Sequence, residues 1–227
     1  MDQISPRRIS IQVSLSGFSF KIKDDVSSVS SGWLGADRVF MTPELQRRYD
    51  VVELSVMTPK CALVPAHFFR EELSYAQLSD VVDLDPADKV SYVEVPRFGA
   101  VLLYAYTPDH ALAQAISRTT LLSDGSSADA LPEMYWLLDA LDSCTEYNKI
   151  LASYCDGHLY LCIAQGRSLL LSNVYDAVDF TTAEYFIFNA LKSLQLNPEI
   201  STVFFRTPLA GEEEMSLYRY FKSVEQI

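Results

Sequence analysis

From Ile9 onward the chain alternates between apolar and polar residues. Ile9, Ile11, Val13 and Leu15 interleave with Ser10, Gln12, Ser14 and Ser16, a period of two that predicts a β-strand. After Ser16-Gly17 the alternation resumes as Phe18, Phe20 and Ile22 against Ser19, Lys21 and Lys23. The two runs predict a hairpin whose turn uses glycine for its freedom of φ. Residues 24–35, rich in Ser, Gly and Asp, read as a loop. Val51 to Met57 returns to strand character and Ala62 to Val64 forms another short strand. Pro65 then suits the first turn of a helix, where its missing N–H costs nothing. That helix is predicted to pass through Phe68, Phe69 and Leu73 and to reach Val82 in two pieces, with Asp85-Pro86 breaking it. Lys89 to Val95 and Ala100 to Tyr106 predict a second hairpin around Pro96-Arg97-Phe98-Gly99. Thr107-Pro108 starts a helix to about Arg118.

The last third has the clearest pattern. Pro132 to Ser143 reads as a helix. Lys149 to Cys155, Leu159 to Ala164 and Ser168 to Ser172 read as three successive strands joined at Asp156-Gly157 and Gln165-Gly166. Thr181-x-x-Glu184 has the form of a capping box, and Tyr185, Phe188, Leu191 and Leu194 recur at helical spacing. Tyr185, Phe186 and Phe188 read as helix–sheet core. Asn197-Pro198 ends that helix. A strand at Thr202 to Arg206 follows, then a helix from Glu212 to Val224 with Glu212, Glu213 and Glu214 in its first turn, where the macrodipole favours them. In that helix Tyr218, Phe221 and Val224 form a narrow apolar stripe, leaving Tyr220 partly exposed as a candidate partner-binding face. The order β-β-β-α-β-α is echoed in the first half of the chain. Two similar halves suggest a duplication, divided as residues 1–122 and 131–227 by a Ser/Asp/Gly-rich linker at 123–130.

Charge and composition narrow the field. A net charge of −12 leaves no basic footprint for nucleic acid or an anionic membrane surface. No apolar run approaches the ~20 residues of a membrane span, and no secretory signal pattern follows the basic residues near the start. A cytoplasmic protein with no membrane insertion is expected. Cys61, Cys144, Cys155 and Cys162 form no C-x-x-C pair, and His67, His110 and His158 add no zinc spacing. They read as reduced thiols, with no metal site. His67 reads as a surface or capping residue, and Glu53, alternating with Val52 and Leu54, as part of a solvated strand face. A Cys155/His158 dyad is not expected, because the Asp156-Gly157 turn separates them. No phosphate-loop, dinucleotide, nucleophile-elbow or zinc-protease motif occurs.

Arg8-Ile-Ser-Ile-Gln-Val-Ser-Leu-Ser-Gly-Phe-Ser-Phe20, Val52-Glu-Leu-Ser55, Leu63-Val-Pro-Ala-His-Phe-Phe69, Leu169-Leu-Leu-Ser-Asn173 and Thr181-Thr-Ala-Glu184 carry a resemblance to an uncharacterised bacterial family with an actin-like ATPase fold. The resemblance implies an α/β protein of the actin-like (ribonuclease H-like) fold, with two similar βββαβα-type halves and mixed sheets, as in sugar kinases, heat-shock chaperones and actin. It also implies where nucleotide would sit: an acid and glycines in the first hairpin of each half, and paired glycines after a late strand. Here those places hold Ser14, Ser16 and Gly17 without an acid, Asp156 and Gly157, and the lone Gly211. These six are the cofactor-binding candidates, with no catalytic or metal residue among them. Asp156-Gly157 is equally an ordinary hairpin turn. The resulting expectation is an inactive actin-like scaffold or interaction module with no cofactor and an unassigned protein partner. The alternatives are a nucleotide-binding ATPase or kinase-like enzyme and a small-molecule sensor.

Overall fold

The computed structural model describes residues 6–23, 28–106 and 111–227. Its first elements are β1 (Arg8–Val13), β2 (Gly17–Lys23), β3 (Ser28–Ser30), β4 (Leu34–Gly35), β5 (Arg48–Tyr49) and β6 (Val51–Val56). Next come β7 (Cys61–Pro65), α1 (Ser74–Ser79), β8 (Lys89–Val95), β9 (Ala100–Tyr106), α2 (Ala111–Thr119), β10 (Leu121–Leu122) and β11 (Ala130–Pro132). The remainder holds α3 (Glu133–Ser143), β12 (Asn148–Cys155), β13 (His158–Gln165), β14 (Ser168–Asp176), α4 (Phe180–Ser193), β15 (Thr202–Phe205), α5 (Gly211–Leu217) and β16 (Ser223–Gln226). Two compact units form. One joins Met1–Met57 to Pro108–Pro132, and the other joins Thr58–Thr107 to Glu133–Ile227.

In the first unit the sheet runs β11-β6-β1-β2-β3, with β4 also on β2. The alternating runs of the opening sequence pair as the antiparallel hairpin β1–β2, and β6 joins β1 in parallel with Ile9 opposite Val52. Ile9, Ile11, Val13 and Phe18 are fully buried, each contributing roughly 1.5–3 kcal/mol. Two polar side chains of this hairpin are covered as well. Gln12 and Ser19 are buried, and Ser19 Oγ donates to Gln12 Oε1 at 3.1 Å. Glu53 departs from the expected solvated face: its side chain is 19% exposed and pairs with Arg8 at 3.4 Å.

In the second unit the main sheet runs β14-β13-β12-β15-β16. Leu159, Leu161, Ile163 and Phe205 on one face pack against Ile187 and Leu191 of α4 and Leu217 of α5. On the other face, Met134 of α3 meets Cys162 and Ser172, 3.2 Å from each. A second sheet, β7-β9-β8, is covered by α1, whose Leu78 packs on Leu103 and Ala105. None of the four cysteines forms a disulfide. Burial pushes the Cys61 thiol up to about 12, so it behaves as an inert apolar group.

Several elements differ from their sequence expectation. Pro65 ends β7 rather than starting a helix, as an edge strand tolerates a missing N–H. A turn and a 3-10 helix at Glu71–Leu73 precede α1, which stops at Ser79. The expected helix over 212–224 ends at Leu217, and Ser223–Gln226 instead forms β16, parallel to β15 with Val224 opposite Val203. Phe221 and Val224 are thus buried from a turn and a strand, not from a helical stripe. Tyr220 is exposed as expected, but beside that turn. The N-cap of α4 is Asp179, two residues before the Thr181 of the expected box. Tyr185 is exposed, whereas Phe186 stacks on Tyr175 and Phe188 on Phe221. Within 24–35, β3 and β4 extend the sheet. The start expected at Thr107-Pro108 lies outside the described residues.

Candidate functional site

Topology gathers several chain ends at one edge of the second unit's main sheet. β15 is parallel to β12, while β13 is antiparallel to both β12 and β14. The carboxyl ends of β12, β14 and β15 therefore lie together, the usual place for ligands in open α/β sheets. α4 and α5 start just beyond β14 and β15. α3 leads back into β12, and its first residue, Glu133, meets Ser153 near the end of β12.

Four charged side chains at this edge are bonded within the protein. Glu133 is fully buried. Ser153 Oγ donates to its Oε1 at 2.6 Å and Arg206 Nη1 to its Oε2 at 2.7 Å. The Arg206 side chain is 6% exposed and lies over the Trp136 ring. At the start of α4, Asp179 Oδ1 accepts from the Thr182 backbone N–H and hydroxyl, both at 2.7 Å. These bonds hold the Asp179 carboxyl below the usual carboxylate range. At the start of α5, Glu213 Oε2 accepts from the Ala210 N–H at 2.7 Å. Tyr154 links the end of β12 to its surroundings. Its N–H donates to Thr207 Oγ1 at 2.9 Å and its hydroxyl to Ala177 O at 3.2 Å. Burial first, then the charges of Asp179 and Glu213, raise the Tyr154 pKa.

A helix N-terminus attracts anions through its free N–H groups and dipole. At this edge the protein's own carboxylates already meet that attraction, and the nearby guanidinium is neutralised by Glu133. A phosphate placed here would face Asp179 and Glu213 at short range with no free cation from Arg206.

Asp156, Gly157 and Gly211 belong to this edge, whereas Ser14, Ser16 and Gly17 belong to the other unit. Asp156 and Gly157 have φ of 48° and 75° and close the two-residue turn between β12 and β13. Gly157 O accepts from the Ala177 N–H at 2.7 Å. Gly211 opens α5, and a Cβ there would meet nothing within 4 Å. In the first unit, Ser14 Oγ accepts from the N–H groups of Ser16 at 3.2 Å and Gly17 at 3.3 Å. The donors that would cradle a phosphate are thereby bonded within the turn. A Cβ on Gly17 would lie 2.0 Å from Leu34 O, so close approach of β4 explains this glycine. His158 Nε2 lies 3.4 Å from Asp176, the His67 ring lies tilted against that of Phe68, and no metal-ligating cluster occurs among the described residues. Sequence reasoning missed Glu133, Ser153, Arg206 and Asp179. The available signals were a charge directly after Pro132, a serine inside an apolar strand and an arginine ending Val203-Phe204-Phe205.

The fold is actin-like. The chain is similar to a protein with actin-like ATPase fold and unknown function from Bacteroides thetaiotaomicron VPI-5482, at 15% identity and TM-score 0.65, covering 97% of this chain and 90% of that one. It is also similar to the cytoplasmic domain of EpsL, an inner membrane component of the type II secretion system of Vibrio cholerae. That likeness has 11% identity and TM-score 0.52, over 90% of this chain and 83% of that one. A third likeness is to the PilM-PilN type IV pilus biogenesis complex, at 10% identity and TM-score 0.50, over 97% and 88%. The chain belongs to the family Protein of unknown function (DUF3822), whose model matches residues 36–224. No curated protein sequence matches it. No helix among the described residues is long and apolar enough to cross a membrane.

Proposed function

We propose that this chain is a catalytically inactive actin-like scaffold or interaction module that works in the cytoplasm and binds a protein partner. The observation that carries this reading is the internal consumption of charge at the strand ends. Asp179 and Glu213 bond the starts of α4 and α5, and Glu133 neutralises Arg206. An enzyme transferring phosphoryl groups needs uncommitted donors and cations at that position. Fold neighbours from a secretion system and a pilus assembly complex support a role in protein assembly by analogy of fold alone. On this reading Ser14, Ser16, Gly17, Asp156, Gly157 and Gly211 serve turns and a helix start rather than a cofactor. Residues 1–122 and 131–227, around a linker at 123–130, are then the descendants of a duplicated half.

Titration with a fluorescent Mg²⁺-ATP analogue tests the reading. No saturable signal is expected at millimolar nucleotide. Stoichiometric binding that Asp156→Ala abolishes would overturn it in favour of the ATPase or kinase-like alternative.

A further inference from the structure

The outer surface of α4 carries a strip of aromatic side chains that the core of its unit does not cover. The buried face of the helix is already complete with Ala183, Ile187, Ala190 and Leu191. At about 100° per residue, Phe186, Tyr185 and Phe188 fall in succession across the helix from one flank to the other. On one flank Phe186 stacks on Tyr175 of β14, with ring centroids 4.7 Å apart, and Tyr185 meets Phe186 edge-on at 5.5 Å. On the other flank Phe188 meets Tyr220 edge-on at 4.9 Å and stacks on Phe221 at 5.7 Å. Tyr220 belongs to the turn after α5, so the strip spans separate elements. Of these rings only Phe221 is buried, while Tyr185 is 62% exposed and Tyr220 50%.

Uncommitted cations gather beside this strip. Lys192 follows Phe188 by one turn of α4, and Arg219 and Lys222 flank Tyr220 and Phe221; all three are exposed. The Lys222 N–H donates to Pro198 O and Ser201 O, which fixes the turn against the segment leaving α4. Four other cations of the second unit are already engaged. Lys60 is held by Asp85 and Asp88, Arg97 by Asp142 and Arg206 by Glu133, while Lys149 Nζ donates to Leu141 O. Lys192, Arg219 and Lys222 form no ion pair among the described residues, although Glu184, Glu199 and Glu225 lie on neighbouring segments.

We propose that this surface docks an acidic amphipathic helix of a partner protein. The apolar side of that helix lies on Tyr185, Phe188 and Tyr220, and its carboxylates lie toward Lys192, Arg219 and Lys222. This deepens the interaction-module reading and rests on it. Exposed tyrosines suit the task, because a rigid ring buries much area while its hydroxyl stays at the wet rim. The three cations select the sign of the partner. That sign runs against the net charge of −12, which disfavours acidic segments elsewhere on the chain. Two copies at −12 also repel each other, so the occupant is a different protein.

The probe is an end-blocked peptide, Glu-Glu-Leu-Glu-Glu-Leu-Phe-Glu-Glu-Leu-Glu, whose apolar residues share one helical face. It is compared by calorimetry on the full chain with the same peptide carrying Lys at every Glu. Attraction to net charge alone favours the Lys peptide, whereas saturable binding of the Glu peptide is expected here. Tyr185→Ala and Tyr220→Ala are each expected to weaken it by roughly tenfold, with melting temperatures unchanged because both side chains are exposed. Lys192→Glu combined with Lys222→Glu is expected to weaken it as well, and added salt to weaken it in the parent chain. The proposal is overturned by absence of Glu-peptide binding, by Glu-peptide binding unchanged in both tyrosine variants, or by Lys-peptide binding that depends on those tyrosines. A dimer by light scattering that Tyr220→Ala dissociates would overturn it in favour of a second copy. Stoichiometric Mg²⁺-ATP binding beside intact peptide binding would sink the inactive reading alone, whereas absence of both signals would sink this surface alone.

Discussion

Glu133 and Arg206 are an ion pair removed from water, with Ser153 completing the hydrogen bonds of the carboxylate. Such a pair contributes little net stability, but breaking it leaves one charge buried without compensation. Glu133→Ala is expected to cost about 3–5 kcal/mol in urea unfolding. The double variant Glu133→Ala with Arg206→Met is expected to recover most of that loss, because no charge is then stranded. A double variant as unstable as the single would contradict the pairing. Asp179 gives a prediction with a defined pH sign. Its folded pKa is depressed, so its contribution is present above the ordinary carboxylate pKa of ~3.9 and fades as pH falls through the lower folded value. Asp179→Ala is therefore expected to lower the melting temperature at neutral pH, with the gap closing in acid. A gap independent of pH would show that the carboxylate charge is not what caps α4. Only part of this was legible in the sequence. Glu212, Glu213 and Glu214 could be assigned to the first turn of α5 from spacing alone. The Glu133–Arg206 pair could not, since 73 residues separate its members and no local pattern links them.

Gly17 shows how an element can depend on one missing atom. β4 passes so close to β2 that a Cβ on Gly17 would meet Leu34 O at 2.0 Å. Gly17→Ala is expected to cost about 1–3 kcal/mol through overpacking and to speed amide exchange at Leu34 and Gly35. Unchanged exchange there would place the two strands further apart. β16 gives the second test at this scale. Truncation after Lys222 removes a strand that buries Val224, and a loss of about 1.5–3 kcal/mol is expected from that side chain alone. A fully helical carboxyl terminus would instead show the 223–226 segment gaining helical amide protection on trifluoroethanol-free spectra of the intact chain. The hairpin of β8 and β9 was legible to the residue, because Pro96 and Gly99 punctuate two apolar runs. β16 was not: Tyr218, Phe221 and Val224 fit helical spacing, and only pairing with Val203 selects the strand.

At the scale of the molecule, the actin-like class was legible from element order together with quoted stretches such as Arg8 to Phe20. The grouping of Thr58–Thr107 with Glu133–Ile227 was not, because it depends on packing between distant segments. Nor could spacing alone reveal that helix starts at the strand-end edge hold their own carboxylates. The central claim is that this edge has no room in its charge balance for a nucleotide phosphate. The most direct measurement is thermal unfolding with and without saturating Mg²⁺-ATP and Mg²⁺-ADP. A native-state ligand at 100 times its dissociation constant adds about 2.7 kcal/mol, or several degrees in a chain of this length. The account predicts no shift with either nucleotide at millimolar concentration. A shift of several degrees that requires magnesium would contradict it.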